Sequence, residues 1–173
     1  MNQSVHPLRI NLGFLVNQPP GFQRDIPFEF ELYDFNEDFH VNDFRGTITL
    51  SRTQNGARAL GDVSAMVSLD CGRCLDAYYQ ELKSEFEEIF TFANRPLSED
   101  EAIIPFDGNI DFEPIIREYL LLEIPYSPVC RPDCKGLCVV CGENLNEKTC
   151  EHSQTKLVKE ESSTAIKGSQ HSS

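Results

Sequence analysis

The sequence predicts an α+β fold: an antiparallel sheet, one main helix and a C-terminal cysteine-rich zinc element. Three observations predict it. Apolar and polar residues alternate on both sides of Asn55-Gly56, an amphipathic stripe follows near Asp111–Ile124, and six of the seven cysteines fall into two groups. A sheet and a helix that each have one apolar side can cover one another, so the cysteine segment is attached to a core rather than replacing one.

The length and composition are those of one globular domain. The chain has 173 residues, of which 40% are hydrophobic, and this is enough to build a core without a metal. We expect residues 1–152 to form a single domain whose zinc element spans 130–152. Residues 153–173 are rich in Ser, Lys and Glu and poor in apolar side chains, so we expect a disordered tail there.

The first half of the chain is expected to form strands. Leu8, Ile10 and Leu12 alternate with polar residues and predict an opening strand. Between Phe44 and Leu69, alternating apolar residues flank Asn55-Gly56, a pair that accepts the positive φ angles of a tight turn. This pattern predicts an antiparallel hairpin whose second strand leads directly into the first cysteine pair.

A third strand and the helix are predicted after the hairpin. Leu82, Phe86 and Phe90 share one parity and alternate with charged residues, which favours a strand, although a helix also fits the start of this pattern. The apolar stripe near Asp111–Ile124 indicates a helix that Asp111 can cap. Pro125 then ends it, directly before the C-terminal cysteines.

The cysteines are the clearest functional signal in the chain. Two Cys-x2-Cys turns, Cys71–Cys74 and Cys138–Cys141, place pairs of thiolates where both can bind one tetrahedral ion. Soft sulfur ligands in this geometry suit Zn2+ better than Mg2+ or Ca2+. We therefore predict a structural zinc ion.

Other uses of these cysteines compete with zinc. Disulfides are typical of secreted chains, and the N-terminal residues contain no apolar segment of signal-peptide length, so we expect a reducing compartment. A thioredoxin-type thiol pair would open a helix, whereas Cys71 follows a strand pattern. Redox thiols, an iron–sulfur cluster and unligated thiols stay open as alternatives.

The sequence leaves two assignments of the ligands open. The compact assignment, which we prefer, uses four cysteines of the C-terminal segment: Cys130, Cys134, Cys138 and Cys141. The split assignment joins the two Cys-x2-Cys turns, as in a zinc ribbon: Cys71, Cys74, Cys138 and Cys141. Residues outside the chosen set, which include Cys150 and His152, are then spare or bind a second ion.

The charge of the chain narrows its class of partner. The formal net charge is −13 at pH 7, whereas direct binding to nucleic acid usually leaves a basic footprint. This favours contact with a basic protein, although acidity also serves solubility alone. The candidate surface is a run of acidic residues: Glu81, Glu85, Glu87, Glu88 and Glu99–Glu101.

Two cysteine motifs and a helix carry a resemblance to a known family. Residues Cys130–Asn146 read CRPDCKGLCVVCGENLN, and Cys71-Gly72-Arg73-Cys74-Leu75 precedes them. Together with Ile115–Pro125, they resemble the YceD family, the large ribosomal RNA subunit accumulation proteins of bacteria and plastids. The resemblance covers roughly Phe44–Asn146.

The resemblance implies a non-enzymatic role in biogenesis of the large ribosomal subunit, in support of accumulation of its RNA. We expect an acidic, zinc-stapled adapter that binds a ribosomal protein or another assembly factor, and neither a membrane nor a small-molecule substrate. The alternative is direct RNA binding by the cysteine turns, with phosphate contacts from three basic residues: Arg73, Arg131 and Lys135. A zinc enzyme is the least favoured reading, because no His-Glu-x2-His motif accompanies the cysteines.

The sequence also suggests a compartment. No apolar window approaches the roughly 18 residues of a membrane span. The N-terminal residues lack the Arg- and Ser-rich composition of a transit peptide. We expect the bacterial cytoplasm, with the plastid stroma as the alternative.

Overall fold

The computed structural model describes residues 7–36, 38–92 and 102–152. These residues divide into two compact units. The sheet unit comprises the described residues of Met1–Ser68 and Tyr79–Tyr126, and the cysteine unit comprises those of Leu69–Tyr78 and Ser127–Ser173. The sequence predicted one domain for 1–152, and that prediction stays untested. The predicted tail, 153–173, lies outside the described residues.

Strands dominate the part of the chain that the structure describes. The elements in chain order are β1 (Arg9–Asn11), a 3₁₀ helix (Leu12–Leu15), β2 (Gln23–Asn36), β3 (Phe39–Arg52), β4 (Gly56–Asp70), β5 (Ala77–Phe92), β6 (Ala102–Ile104), β7 (Asn109–Asp111) and α1 (Glu113–Leu122).

The main sheet has the order β2-β3-β4-β5-β6. Strands β2 and β3 are antiparallel, as are β3 and β4, whereas β6 runs parallel to β5. The sheet is therefore mixed, which corrects the predicted antiparallel sheet at its β6 edge. Strands β1 and β7 form a separate antiparallel pair, in which Ile10 lies opposite Ile110.

The hairpin predicted around Asn55-Gly56 is confirmed as β3 and β4, with Ile48 opposite Gly61 in its register. The third strand is also confirmed, because β5 is extended throughout and buries Leu82, Phe86 and Phe90. The pleat of a strand places residues four apart on the same face, as a helix nearly does, which explains why the less favoured helix also fitted the start of this segment.

The opening strand and the helix are shorter than predicted. Strand β1 ends at Asn11, because the Asn11 side chain accepts a hydrogen bond from the Gly13 amide and starts the 3₁₀ helix. Helix α1 has ten residues and buries Ile116 and Leu120. The N-cap residue is Phe112 rather than the predicted Asp111, and the Asp111 carboxylate, one residue earlier, accepts from the Glu113 amide at 3.0 Å.

The core of the sheet unit is aromatic on one side. The Phe44 side chain is fully buried, and its ring centroid lies 4.9 Å from that of Phe28 and 5.1 Å from that of Tyr33. On the opposite face of the sheet, the side chains of Glu85 and Glu87 are exposed, as are those of Tyr79 and Ile89 on the same strand. Among the described residues, no helix is long and apolar enough to cross a bilayer.

Candidate metal centres

The first cysteine group lies in the cysteine unit and has four sulfur ligands: Cys71, Cys74, Cys130 and Cys134. All four Sγ atoms lie within 4.8 Å of one another. The Cys71 and Cys134 Sγ atoms are 3.8 Å apart, and those of Cys74 and Cys130 are 3.7 Å apart. Zn–S bonds of about 2.3 Å place the sulfurs of a regular tetrahedron about 3.8 Å apart. The group therefore has the dimensions of a tetrahedral metal site, and these separations are far longer than a disulfide bond.

The backbone of the first knuckle, residues 71–76, explains how two of these thiols converge. The Leu75 amide donates to the Cys71 carbonyl at 2.9 Å, and the Cys71 amide donates to the Asp76 carbonyl at 2.9 Å. Leu75 adopts a φ of 63° to close this turn. The Gly72 amide then donates to the Pro128 carbonyl at 2.8 Å, which holds the Cys130 segment beside the knuckle.

Hydrogen bonds to sulfur favour the thiolate form that a metal requires. Backbone N–H groups of Cys130 and Cys74 stabilise the Cys71 thiolate and lower its pKa to about 6. Burial would raise the pKa of Cys134, but hydrogen bonds that include the Asn146 side-chain amide, 3.4 Å from Sγ, outweigh it and the pKa is lowered. The fold thus lowers the pKa of two of the four thiols, whereas burial and contacts with neighbouring sulfurs raise the pKa values of Cys74 and Cys130.

The second cysteine group has three sulfur ligands and one nitrogen ligand, also within 4.8 Å of one another: Cys138, Cys141, Cys150 and His152. Its burial differs from that of the first group, because Cys138 is buried whereas Cys141 and His152 are exposed. Backbone N–H groups of Cys141 and Val140 lower the pKa of Cys138 to about 6. This group could also hold a metal ion.

Neither predicted assignment of ligands matches this grouping. The structure separates Cys130 and Cys134 from Cys138 and Cys141, and it does not join the two Cys-x2-Cys turns. Gly136 supplies the physical reason: its φ of 73° turns the chain between the two pairs. A Cβ atom there would lie only 3.0 Å from the Arg73 carbonyl oxygen. The sequence identified all eight residues as candidate ligands, but it did not predict their division into these two groups. That these residues bind a metal stays a prediction.

The three basic residues proposed for RNA contact lie in the same unit. The Arg73 guanidinium donates to the carbonyls of Pro132 and Cys134 at 3.3 and 3.1 Å. Arg131 pairs with Asp133 at 3.5 Å. Arg73 therefore contributes to holding the Cys134 segment, and the third residue, Lys135, contributes its backbone amide to the Asn146 side chain at 2.8 Å.

The comparison with protein families settles which family these motifs mark. The sequence model described as large ribosomal RNA subunit accumulation protein YceD matches residues 60–163. That range includes both cysteine groups. The chain belongs to the YceD family. The family is described as an accumulation factor for large-subunit ribosomal RNA.

Individual relatives match over parts of their length. An uncharacterized protein of Mycobacterium bovis is 34% identical over 102 residues, which cover 57% of this chain and 49% of the relative. Large ribosomal RNA subunit accumulation protein YCED homolog 1, chloroplastic, of Arabidopsis thaliana is 25% identical over 135 residues, 61% of this chain and 42% of the relative. The Zea mays protein of the same name is 52% identical over 40 residues, 23% of this chain and 14% of the relative. The chain spans about half the length of the first curated relatives that it matches, and no solved structure matches it.

Proposed function

We propose that this YceD-family protein supports accumulation of large-subunit ribosomal RNA without catalysis, as an adapter that binds a basic ribosomal or assembly protein. The observation that carries this proposal is the family match over residues 60–163. We infer the adapter mechanism separately, from the acidic charge of the sheet unit and from a groove on its surface. We place the protein in a reducing compartment, the bacterial cytoplasm or a plastid stroma, where cysteine thiolates persist.

Zinc at the first cysteine group would serve as a structural clip. All four candidate ligands there are cysteine sulfurs, so a bound ion would be fully coordinated by protein. A closed site of this kind leaves no position for a substrate or an activated water. The chemistry of the ligand set thus supports a scaffold role and argues against a zinc hydrolase at this group.

An acidic groove on the outer face of the sheet is the proposed contact surface. We define the acidic groove by Asp62, Glu85 and Glu87, which line a shallow depression of about 520 Å³ together with Thr47 and Thr49. The Glu87 carboxylate also pairs with Arg58 at 2.7 Å, so a basic partner would compete with Arg58 for it. Nearly all of the acidic excess of the chain falls in the sheet unit. Complementary charge steers the encounter with a basic partner and excludes like-charged ones, so the groove suits a segment rich in Lys and Arg.

The acidic run predicted from the sequence is divided by the fold. Glu81, Glu85 and Glu87 alternate along β5 and are all exposed, so they share the outer face. Glu88 has the opposite parity, is half-buried, and accepts a hydrogen bond from the Tyr119 hydroxyl at 3.2 Å. Glu99–Glu101 lie outside the described residues. Sequence reasoning did not include Asp62 in this surface, although Asp62 occupies a polar position of the alternating second hairpin strand. The structure pairs it with Thr47.

Removal of the protein from its own cell tests the family role. We expect a lowered ratio of large-subunit to small-subunit ribosomal RNA, restored when the wild-type chain is supplied. An unchanged ratio under conditions of rapid growth would contradict the role in accumulation. This result is independent of whether the adapter mechanism is correct.

A charge-matched pair of variants tests the adapter mechanism. The groove variant replaces three acids: Asp62→Asn, Glu85→Gln and Glu87→Gln. The control variant replaces three exposed acids elsewhere in the sheet unit: Glu31→Gln, Glu118→Gln and Glu123→Gln. We expect the groove variant alone to lose cross-linked ribosomal or assembly proteins and to fail in restoring the RNA ratio. Equal behaviour of the two variants would reject the groove.

Binding to naked ribosomal RNA distinguishes the adapter from an RNA-binding protein. Phosphate contacts make affinity fall steeply with salt, so tight binding with that salt dependence would overturn the adapter proposal. Charge reversal of Arg131, which pairs only weakly at the surface, should leave association with ribosomal particles unchanged if the partner is a protein.

A further inference from the structure

We propose that the chain binds two zinc ions, and that the ion in the second cysteine group strengthens binding of the ion in the first group through the side chain of Asn146. The proposal concerns metal binding alone and does not depend on the ribosomal role. Three observations carry it: the backbone of the two knuckles, the ligand set of the second group, and the hydrogen bonds of the segment that joins them.

The second knuckle, residues 138–143, repeats the hydrogen bonds of the first. The Gly142 amide donates to the Cys138 carbonyl at 2.9 Å, as the amide four residues after Cys71 does in the first knuckle. The Cys138 amide donates to the Glu143 carbonyl at 2.8 Å, which matches the bond between the Cys71 amide and the Asp76 carbonyl. Gly142 has a φ of 74° at the position where the first knuckle has a φ of 63°. The second knuckle therefore has the same turn as the first, and this turn brings two cysteine side chains together.

The remaining ligands complete a tetrahedral set. Cys150 and His152 come within 4.8 Å of both knuckle thiols, and three sulfurs with one imidazole nitrogen are a common set for structural zinc. Because Cys141 and His152 are exposed, we expect this ion to exchange with chelators sooner than the ion of the buried group.

The segment between Cys141 and Cys150 contacts the first group. The Asn146 side-chain amide donates to the Cys134 Sγ atom at 3.4 Å, and its carbonyl oxygen accepts from the Lys135 amide at 2.8 Å. The Asn144 side chain holds Asn146 in place, because its oxygen accepts from the Asn146 backbone amide at 3.0 Å. A ligand of the first group is thus hydrogen-bonded by a residue that lies between ligands of the second.

Metal binding at the second group fixes both ends of this segment. Closing a loop removes conformational freedom, so an ion held by Cys141 and Cys150 favours the arrangement in which Asn146 reaches Cys134. Hydrogen bonds from outer residues to ligands typically change metal affinity by about 10-fold to 100-fold. Linkage is reciprocal, so the first ion must strengthen the second by the same factor.

Three variants of the full chain separate the two parts of the proposal. Cys150→Ser with His152→Ala removes two ligands of the second group. Asn146→Ala removes the hydrogen bond to Cys134 while keeping all eight ligands and two other bonds of the segment, from the Leu145 amide to the Gly136 carbonyl and from the Asn144 side chain to Asp76. Glu147→Gln, an exposed neighbour in the same segment, is the matched control. Far-UV circular dichroism of each variant reports whether the sheet is intact.

Elemental analysis and zinc release to a chromogenic chelator give the readouts. We expect two zinc ions per wild-type chain, and one per chain of the Cys150→Ser/His152→Ala variant, in which the remaining ion has about 10-fold lower affinity. Asn146→Ala should keep two ions but lower the affinity for the ion in the first group by a similar factor. Glu147→Gln should match wild type in both measurements. Co2+ substitution distinguishes the groups, since one has four sulfur ligands and the other three.

Two results would overturn the proposal. One zinc ion per wild-type chain, after purification without chelator and with Zn2+ supplied, excludes the second ion. The coupling is excluded if the wild-type chain binds two ions but release of the ion in the first group is the same in wild type, in Cys150→Ser/His152→Ala and in Asn146→Ala. Neither result bears on the ratio of ribosomal RNAs, so the metal-binding proposal and the proposed ribosomal function can be rejected independently.

Discussion

Two glycines of the cysteine unit offer a controlled test of its backbone. Gly136 and Gly142 have φ angles of 73° and 74°, so an alanine is equally strained at either position. They differ in their surroundings. A Cβ atom at Gly136 would lie 3.0 Å from the Arg73 carbonyl oxygen, whereas one at Gly142 meets no atom within 4 Å. Comparing the two alanine variants therefore isolates the contact with Arg73.

The expected magnitudes follow from these contacts. The left-handed conformation costs an L-residue about 1–2 kcal/mol, and alanine recovers about 0.4–1 kcal/mol by restricting the unfolded chain. We expect Gly142→Ala to lower the free energy of unfolding by about 1 kcal/mol. Gly136→Ala also displaces the Arg73 carbonyl, which accepts from the Leu137 amide at 3.0 Å. Loss of that bond adds about 0.5–1.5 kcal/mol, for a total of about 2 kcal/mol.

If the chain binds zinc as proposed, release of the ion with increasing urea measures both variants, because loss of the ion reports unfolding of the cysteine unit itself. The midpoint should fall for both and fall further for Gly136→Ala. Equal midpoints would refute the reasoning, since they would mean that the backbone at Gly136 does not approach Arg73. A rise in either midpoint would refute the assigned φ angles.

Further predictions concern the turn at Leu75, the pair formed by Tyr33 and Glu113, and the metal. Leu75→Gly should raise the urea midpoint of zinc release by the equivalent of about 0.5–1 kcal/mol, because Leu75 is 67% exposed and its φ of 63° favours glycine. The Tyr33 hydroxyl donates to Glu113 at 2.8 Å, and burial with this carboxylate raises the pKa of Tyr33. As pH rises past 10, the Tyr33 hydroxyl ionises in the unfolded chain before it does so in the folded chain, so its contribution to stability is fully present below pH 10 and is lost progressively above it. Tyr33→Phe should therefore reduce the fall of the thermal midpoint at alkaline pH. The same variant should lower the free energy of unfolding at pH 7 by about 1 kcal/mol. A strong chelator should expose residues 127–152 to proteolysis while leaving the strand signal in circular dichroism.

The sequence predicted the elements best where a local pattern had one solution. Asn55-Gly56 marks a turn between alternating strands, and the structure has β3 and β4 there. Strand β2 was not predicted, although Phe28 and Phe30 alternate with Glu29 and Glu31. Pro27 lies within this strand, and proline is excluded from central strands. Strand β2 lies at the sheet edge, where proline is tolerated.

The cysteine groups show why spacing alone could not assign the ligands. Proximity along the chain favoured one site from Cys130 to Cys141, but the structure brings Cys130 beside Cys74 and Cys134 beside Cys71, which lie 56 and 63 residues earlier. The parallel edge between β5 and β6 was equally inaccessible, since pairing across an intervening connection leaves no local pattern. Residue types therefore predicted metal binding, and the tertiary structure determines which of these residues lie close together.

The two groups should contribute differently to the stability of the whole chain. Cys74 and Cys130 are 56 residues apart, so their shared site is lost on unfolding and the binding free energy adds to folding stability. The second group lies within residues 138–152, and ligands this close can hold metal in the unfolded chain, which reduces the stabilisation. We expect Cys74→Ser to lower the urea midpoint of the zinc-loaded chain more than Cys141→Ser, measured by circular dichroism at equal free zinc. Equal shifts would mean that both sites are lost together on unfolding, and a larger shift for Cys141→Ser would contradict the argument from sequence separation.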